Sequence, residues 1–397
     1  EHTDYNDGFV LPAAIDRNVL LAAAPRADDT VHLLAVDLSS EDEFSLATIA
    51  RAEGKLWPNY HRGVAAMLQA RGISLVGADI AFSSNVPIAA GLSSSAAVEV
   101  GAALTFLTLA GQTMDRAQMA LACQQAEHEY AGVPCGIMDQ FISALGRAGH
   151  VLLIDCRDLS FQHVPVPAGT RLVVADTGVR RALAGSEYRV RRAQCEEAVR
   201  LLQPALPGIR ALRDVSVADL EQHRHLLPSL VYQRARHVVS ENQRVLDTVA
   251  ALRRGDLAQV GELLAASHRS LRDDYAVSSV ELDAMVEAAW EAPGCIGARL
   301  TGAGFGGCTI SLVYADAVSV IPAHPGGSIG LAGAALAPGV LEQMARGLPT
   351  VRIHSGRRLR LMLHGVRISF HAGEQPHPEG GWHVQAAIGT YQTLEVP

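Results

Sequence analysis

The sequence predicts an α+β fold of two or three domains. Three observations carry that prediction. The stretch Val86 to Val98, VPIAAGLSSSAAV, is a small-residue turn running into a long apolar segment. Gly297 to Val313, GARLTGAGFGGCTISLV, is a second glycine turn running into a strand-like segment. Strand and helix patterns are mixed as far as Asp176, and helical spacing then dominates to Trp290. A chain of 397 residues is ample for two cores.

Glu1 to Asp7 is dense in polar groups. Asp7-Gly8 favours a tight turn, and a surface hairpin accounts for Asn6, Asp7 and Gly8. It accounts less well for Glu1, His2 and Asp4, which can present acceptors and donors to one polyhydroxyl ligand. Asn18 to Ala22 and Thr30 to Val36 read as strands joined through Arg26 to Asp29. Trp57 to Gln69 has helical spacing that turns Tyr60, Val64 and Met67 inward. Strand-like alternation returns over Ile73 to Phe82 and leads into the first glycine turn.

A helix beginning near Leu92 would aim its unbonded N–H groups and the positive end of its dipole at that turn. This is a phosphate cradle that needs no lysine. The structural alternative is a buried helix capped by a serine. Helices follow over Ala96 to Ala110 and Asp115 to Tyr130. Gly132 and Pro134 stop the second, and Gly136 adds a flexible point. Ile137 to Leu145 then forms a short helix with Asp139 at its start. Asp139 either favours the helix N-terminus or serves as a carboxylate beside an incoming hydroxyl.

Gly149 to Asp155 and Leu172 to Asp176 read as strands, with a domain boundary in the Pro/Gly-containing segment between them. Helical spacing covers Arg180 to Arg200, where Tyr188 sits among arginines expected to be solvated or paired. It continues over Arg236 to Arg253, Leu257 to Leu271 and Val280 to Trp290. Gly302, Gly304, Gly306 and Gly307 either let backbone approach a ligand or make a tight hairpin, and CTISLV is a strand. No strand is expected before Gly302 with a helix after it, so the dinucleotide fingerprint is excluded.

Composition bounds the function classes. Hydrophobic residues make up 49% of the chain, yet no stretch reaches the ~18 to 20 unbroken apolar residues of a membrane span. The acidic opening is no signal peptide. A formal charge of −8 without a basic block argues against a nucleic-acid partner. Lys55 is the sole lysine, which excludes a Walker A loop and the protein-kinase lysine. Cys123, Cys135, Cys156, Cys195, Cys295 and Cys308 form no close CxxC pair, so a reducing cytoplasm is the expected home.

The collected stretches resemble the galactokinases, in the superfamily of small-molecule kinases that includes homoserine, mevalonate and phosphomevalonate kinases. Glu1 to Asp16, EHTDYNDGFVLPAAID, is similar to the galactokinase signature. Val86 to Ala96 is similar to the superfamily's phosphate loop, and Thr301 to Cys308 to its third motif. EYRVRRAQCEEA and SHRSLRDDYAVS also fit the family. The resemblance implies a two-domain small-molecule kinase fold, residues 1–170 and residues 171–320, with the active site in the cleft between the domains; residues 321–397 are an atypical tail that it does not cover. It implies transfer of the ATP γ-phosphoryl group to the C1 hydroxyl of D-galactose, giving galactose 1-phosphate and ADP. By that resemblance Glu1, His2, Asp4, Gly136 and Tyr188 line the sugar site, and Asp139 is the catalytic aspartate beside them. The backbone of Gly91, Leu92, Ser93, Ser94, Ser95 and Ala96 wraps the ATP phosphates. Glu127 holds Mg2+ with a serine of the Ser94–Ser95 pair, here taken as Ser95. Gly302, Gly304, Gly306 and Gly307 support the pocket and the phosphate loop. A cytoplasmic monomer is expected, with galactose and ATP as partners and neither nucleic acid nor membrane. The alternatives are a related sugar kinase acting on N-acetylgalactosamine and a non-catalytic galactose and ATP sensor. A structural or interaction protein would leave the co-occurrence of three motifs unexplained.

Three departures from the family pattern bear on these expectations. The family signature continues upstream into a strand with an arginine near the transferring phosphate. This sequence opens at Glu1, so the chain as given is expected to be a fragment, weakly active or inactive. Ala89 and Ala303 stand where the family usually has glycine, which is costly only at positive φ. The resemblance fades after Tyr314. The closing helix and strand of the family are not legible in the tail, which reads as poorly ordered or composite. His354, His364, His371, His377 and His383 are too scattered there to suggest a metal site.

Overall fold

The computed structural model describes residues 1–180 and 184–318, together with short strands between 329 and 394. The chain opens with a 3-10 turn over Asp4–Asn6 and a two-residue strand, β1 (Phe9–Val10). Strands β2 (Asn18–Pro25), β3 (Thr30–Ala35), β4 (Ser40–Ser45) and β5 (Ala78–Ser84) then form a sheet in the order β2-β5-β3-β4. β5 runs antiparallel to β2 and parallel to β3. Every residue from Ala78 to Ser83 is buried, because this strand is central. That burial erases the expected alternation over Ile73 to Phe82, and the strand begins only at Ala78.

Helices α1 (Pro58–Ala70), α2 (Ser94–Leu109), α3 (Arg116–Ala126) and α4 (Met138–Leu145) pack against one another and share a core with this sheet. Leu33 and Ile80 of the sheet meet Val64, Leu68, Val100, Phe106 and Phe141 of the helices. Val64 and Met67 point inward as expected, and Tyr60 is half-buried. The expected helix over Asp115 to Tyr130 is regular only to Ala126. It then widens into a π-turn over Glu127–Ala131 and stops at Gly132, at φ +74°. The cap of α3 is Asp115, whose carboxylate accepts from the N–H groups of Ala117 and Gln118.

Strands β6 (His150–Asp155) and β7 (Phe161–Pro165) join β1 in a three-stranded sheet. Val151 and Val164 of that sheet pack with Val249, Leu252, Val260 and Leu312, so it bridges the two halves of the molecule. The second half is built on β8 (Thr170–Asp176), helices α5 (Ala184–Leu202), α6 (Val217–Gln222), α7 (Ser229–Arg254), α8 (Leu257–Asp273) and α9 (Val280–Glu291), and strands β9 (Cys295–Leu300) and β10 (Cys308–Tyr314). Its sheet has the order β8-β10-β9, all antiparallel, with α8 and α9 against β9. β9 does stand before Gly302, but it is not followed by the helix that a dinucleotide fingerprint needs. The element after the glycines is the strand β10 rather than a helix, so the motif is a hairpin.

In the tail, β11 (Ile329–Gly330) pairs with β8, and β12 (Arg352–His354), β13 (Leu359–Leu363) and β14 (Val366–Phe370) form a small sheet. β15 (Val384–Ile388) lies antiparallel to β2, with β16 (Gln392–Leu394) beyond it. The remainder of the tail expected to be poorly ordered lies outside the described residues.

Candidate active site

The turn before α2 adopts an unusual backbone. Ala89, Gly91 and Ser93 all have positive φ, at +55°, +74° and +59°. Ala303, the other alanine at a glycine position, does not share that conformation. Ser93 precedes the helix but makes no side-chain cap. The reading of α2 as a serine-capped helix is thereby corrected: the left-handed backbone turns the Ser93 hydroxyl away, and it hydrogen-bonds Asp139 instead. The N–H groups of the first turn, from Ser94 onward, have no intrahelical acceptor and are left for a ligand.

Two tight contacts join this turn to the β9–β10 hairpin. A Cβ on Gly302 would lie 2.7 Å from Cα of Gly91, and one on Gly307 would lie 2.6 Å from the Ala90 carbonyl oxygen. Gly304 and Gly306 abut the second half instead, against the carbonyls of Val277 and Val179.

The opening turn is not a surface hairpin. Glu1, His2, Thr3 and Asn6 are buried. Oε1 of Glu1 accepts from Arg299 Nη1 (3.0 Å), Thr301 Oγ1 (3.1 Å) and the Gly302 N–H (3.2 Å). His2 engages Tyr5 and the Ala303 carbonyl, and its ring lies 5.7 Å from that of Tyr188. Asp4 explains Gly136: a Cβ there would stand 1.7 Å from Asp4 Oδ2. Asp139 lies in the first turn of α4, whose N-cap is Ile137, and no side chain caps that helix. Burial pushes the Asp139 carboxyl up to about 7. The charges of Asp4 and Glu127 reinforce the shift, against the Ser93 hydrogen bond. Burial raises Asp4 in the same direction. The structure therefore gathers Glu1, His2, Asp4, Gly136, Asp139 and Tyr188 beside the turn at Gly91 to Ala96. A cavity of about 230 Å³ adjoins them, lined by Glu1, Gly91, Ser93, Asp139, Arg299 and Thr301 among others.

Behind the phosphate turn, the end of α3 presents Glu127. Its Oε2 accepts from Gln140 Nε2 (2.7 Å) and Cys135 Sγ (3.5 Å), and Ser95 also hydrogen-bonds it. Gln140 donates in addition to Oε2 of Glu99 (3.1 Å), which is fully buried in α2. Glu99 Oε1 and Gln140 Oε1 have no partner. Among the described residues there is no group of three or more His, Cys, Asp or Glu arranged for a metal. The oxygens of Ser95 and Glu127 nevertheless suit a hard cation that takes its remaining ligands from phosphate and water. Sequence reasoning missed Glu99, Gln140 and Arg299. The available signal for Glu99 was a lone acidic residue in a largely apolar helical run; Gln140, next to Asp139, carried none.

The galactokinase galactose-binding signature matches residues 1–25. GHMP kinases N terminal domain matches residues 59–147, and GHMP kinases C terminal matches residues 248–323. The galactokinase of Chloroflexus aurantiacus is 56% identical over 323 residues, 81% of this chain and 83% of that protein. The galactokinase of Roseiflexus sp. is 53% identical over 318 residues, 80% of this chain and 81% of that protein. The solved structure of Lactococcus lactis galactokinase complexed with galactose superposes with a TM-score of 0.77 at 34% identity, covering 87% of this chain and 86% of that one. Methanococcus jannaschii mevalonate kinase shares the fold, with a TM-score of 0.55 at 17% identity over 80% of this chain and 88% of its own. With its signature, phosphate turn and glycine hairpin meeting at one cleft, the chain belongs to the galactokinase family of the GHMP kinases.

Proposed function

We propose that the chain is an ATP-dependent galactokinase that phosphorylates the C1 hydroxyl of D-galactose through Asp139. The observation that carries the residue assignment is the placement of Asp139. It touches the phosphate turn through Ser93 and shares the field of the Asp4 carboxylate from the sugar signature. Phosphoryl transfer depends chiefly on positioning and charge stabilisation. Glu1, Asp4 and Tyr188 orient the sugar, with Gly136 leaving room for the Asp4 carboxylate. A site that pairs each hydroxyl discriminates against analogues lacking one, because its buried partners would be left unsatisfied. Asp139 orients the attacking hydroxyl and accepts its proton, a task suited to a carboxylate raised to about 7. The free N–H groups and dipole of α2 offset phosphate charge. Ser95 and Glu127 would hold Mg2+, which when bound neutralises charge between the β- and γ-phosphates.

The test is an assay of ADP release and sugar 1-phosphate formation with ATP, Mg2+ and a panel of sugars. Galactose is expected to be the preferred acceptor. Preference for N-acetylgalactosamine would move the chain to a related sugar kinase, and binding of both ligands without product would make it a sensor.

A further inference from the structure

The segment SHRSLRDDYAVS ends α8 and delivers Tyr275, a fully buried side chain that the reaction does not use directly. Its hydroxyl lies 2.7 Å from that of Tyr5 and 3.2 Å from Sγ of Cys195 in α5. The Tyr5 hydroxyl lies in turn 2.8 Å from Nδ1 of His2, and Nε2 of His2 lies 3.3 Å from the Ala303 carbonyl oxygen. Four side chains from three separate parts of the chain thus form one unbranched series, ending in the third glycine motif.

The last member sets the direction of every proton in the series. A carbonyl oxygen only accepts, so the Nε2 of His2 carries hydrogen. Burial holds the imidazole at about 4, so the ring is neutral and Nδ1 is bare. Nδ1 then accepts from Tyr5, Tyr5 accepts from Tyr275, and Tyr275 accepts from the Cys195 thiol. Burial pushes that thiol up to about 11, so it keeps its proton. The rings reinforce the arrangement, with His2 4.8 Å from Tyr275 and Tyr5 5.1 Å from Tyr188.

We propose that Tyr275, by donating to Tyr5 and so keeping the Tyr5 hydroxyl turned toward Nδ1 of His2, is a positioning residue that together with the Ala303 carbonyl on Nε2 holds His2 in its Nε2–H tautomer, a hydrogen-bond donor toward a sugar hydroxyl. The contact to Ala303 is long for a hydrogen bond, so the same N–H can be shared with a ligand oxygen. This proposal rests on the reading of the opening turn as a sugar site. The tautomer itself does not depend on that reading.

The experiment uses the whole chain, with Tyr275→Phe and Tyr5→Phe, each of which removes one oxygen. Long-range ¹H–¹⁵N correlation spectra of the ligand-free protein report the His2 tautomer. Calorimetry reports galactose and ATP dissociation constants separately. The Nε2–H form is expected in the parent chain, and a mixed or Nδ1–H population in Tyr5→Phe. Galactose affinity is expected to fall about tenfold in both variants, the worth of one hydrogen bond, with ATP affinity unchanged. An Nδ1–H tautomer in the parent chain overturns the proposal. So does a shifted tautomer with unchanged galactose affinity, or an equal loss of both affinities, which marks a purely structural role. A parent chain with the Nε2–H tautomer that binds ATP but no galactose overturns the sugar-site reading and, with it, the ligand-facing part of this proposal.

Discussion

Asp139 illustrates how much of this chain's behaviour depends on single side chains. Its carboxyl is raised to about 7, so the base form is lost as the pH falls below that value. The pH profile of kcat/KM is therefore expected to show an acidic limb near 7. Stability has the opposite sign. A carboxyl raised on folding costs stability fully above its folded value, and the cost fades as the pH falls toward the ordinary carboxyl range. Asp139→Asn is thus expected to raise the Tm at pH 8 while lowering kcat by about 10² to 10⁴. A variant that loses activity and Tm together would point to a structural carboxylate.

Ala89 poses a simpler residue-scale question. At φ +55° its methyl group is strained, and Ala89→Gly is expected to stabilise the fold by about 1 kcal/mol in thermal unfolding. The family resemblance marks both Ala89 and Ala303 as alanines where glycine is usual. Only the backbone shows that one of the two is strained.

At the scale of elements, the junction between α3 and its π-turn matters most. Glu127 opens that turn while keeping helical geometry and its bond to the Cys123 carbonyl, so α3 presents it to Ser95 and Gln140, and the widening begins beyond it. Glu127→Ala is expected to raise the Mg2+ concentration needed for half-maximal activity several-fold while leaving galactose affinity unchanged, in a magnesium titration with calorimetry alongside. An unchanged Mg2+ requirement would remove Glu127 from the metal site. Elements of this half were legible where periodicity was uninterrupted. α1, α2 and α4 lie within one or two residues of their expected spans, and Asp139 begins its helix as read. β5 was misplaced because burial on both faces removes the period-2 signal. β9 was missed because its residues, Cys295 to Leu300, include a glycine and an arginine that dilute a strand pattern, and its pairing with β10 is tertiary information. The site residues on short motifs were named through the family resemblance of those motifs, while residue chemistry by itself left Glu1, His2, Asp4 and Asp139 open between structural and ligand-binding readings. Glu99 and Gln140 were not legible, since their meaning comes from a neighbour on another helix.

Across the whole molecule, the halves are tied by the bridging sheet and a double ion pair. Arg213 donates to Asp155, with Nη2 to Oδ2 at 2.7 Å, and Arg157 donates to Asp214 at 2.7 Å. Arg213 also lies over the Phe9 ring. Burial alone would raise the Asp214 carboxyl, but Arg157 and two backbone N–H groups outweigh it and hold it at about 2. Such a lowered carboxyl contributes stability that is present above the ordinary carboxyl range and is lost as the pH falls from about 4 toward 2. These groups are partly exposed, so the expected loss in Arg157→Ala is about 0.5 to 1 kcal/mol at neutral pH and low salt. In thermal unfolding the gap from the parent chain is expected to close near pH 2. A gap of constant size would assign the effect to packing.

The stacked glycines have a consequence for energetics as well as shape. Gly302 donates its N–H to Glu1 and lies face to face with Gly91, so only two contacts separate the sugar signature from the phosphate turn. With no side chain between them to absorb a displacement, a movement of either turn is passed to the other. Occupancy of one substrate pocket is therefore expected to change affinity in the other, and the change must be reciprocal: galactose tightens ATP by the same factor by which ATP tightens galactose. Gly302→Ala would thrust a methyl group onto Gly91 and uncouple the pair. In calorimetry, the expected signature is two binding constants that no longer respond to each other. The substrates then meet a protein that holds each of them but has lost the cooperativity between them.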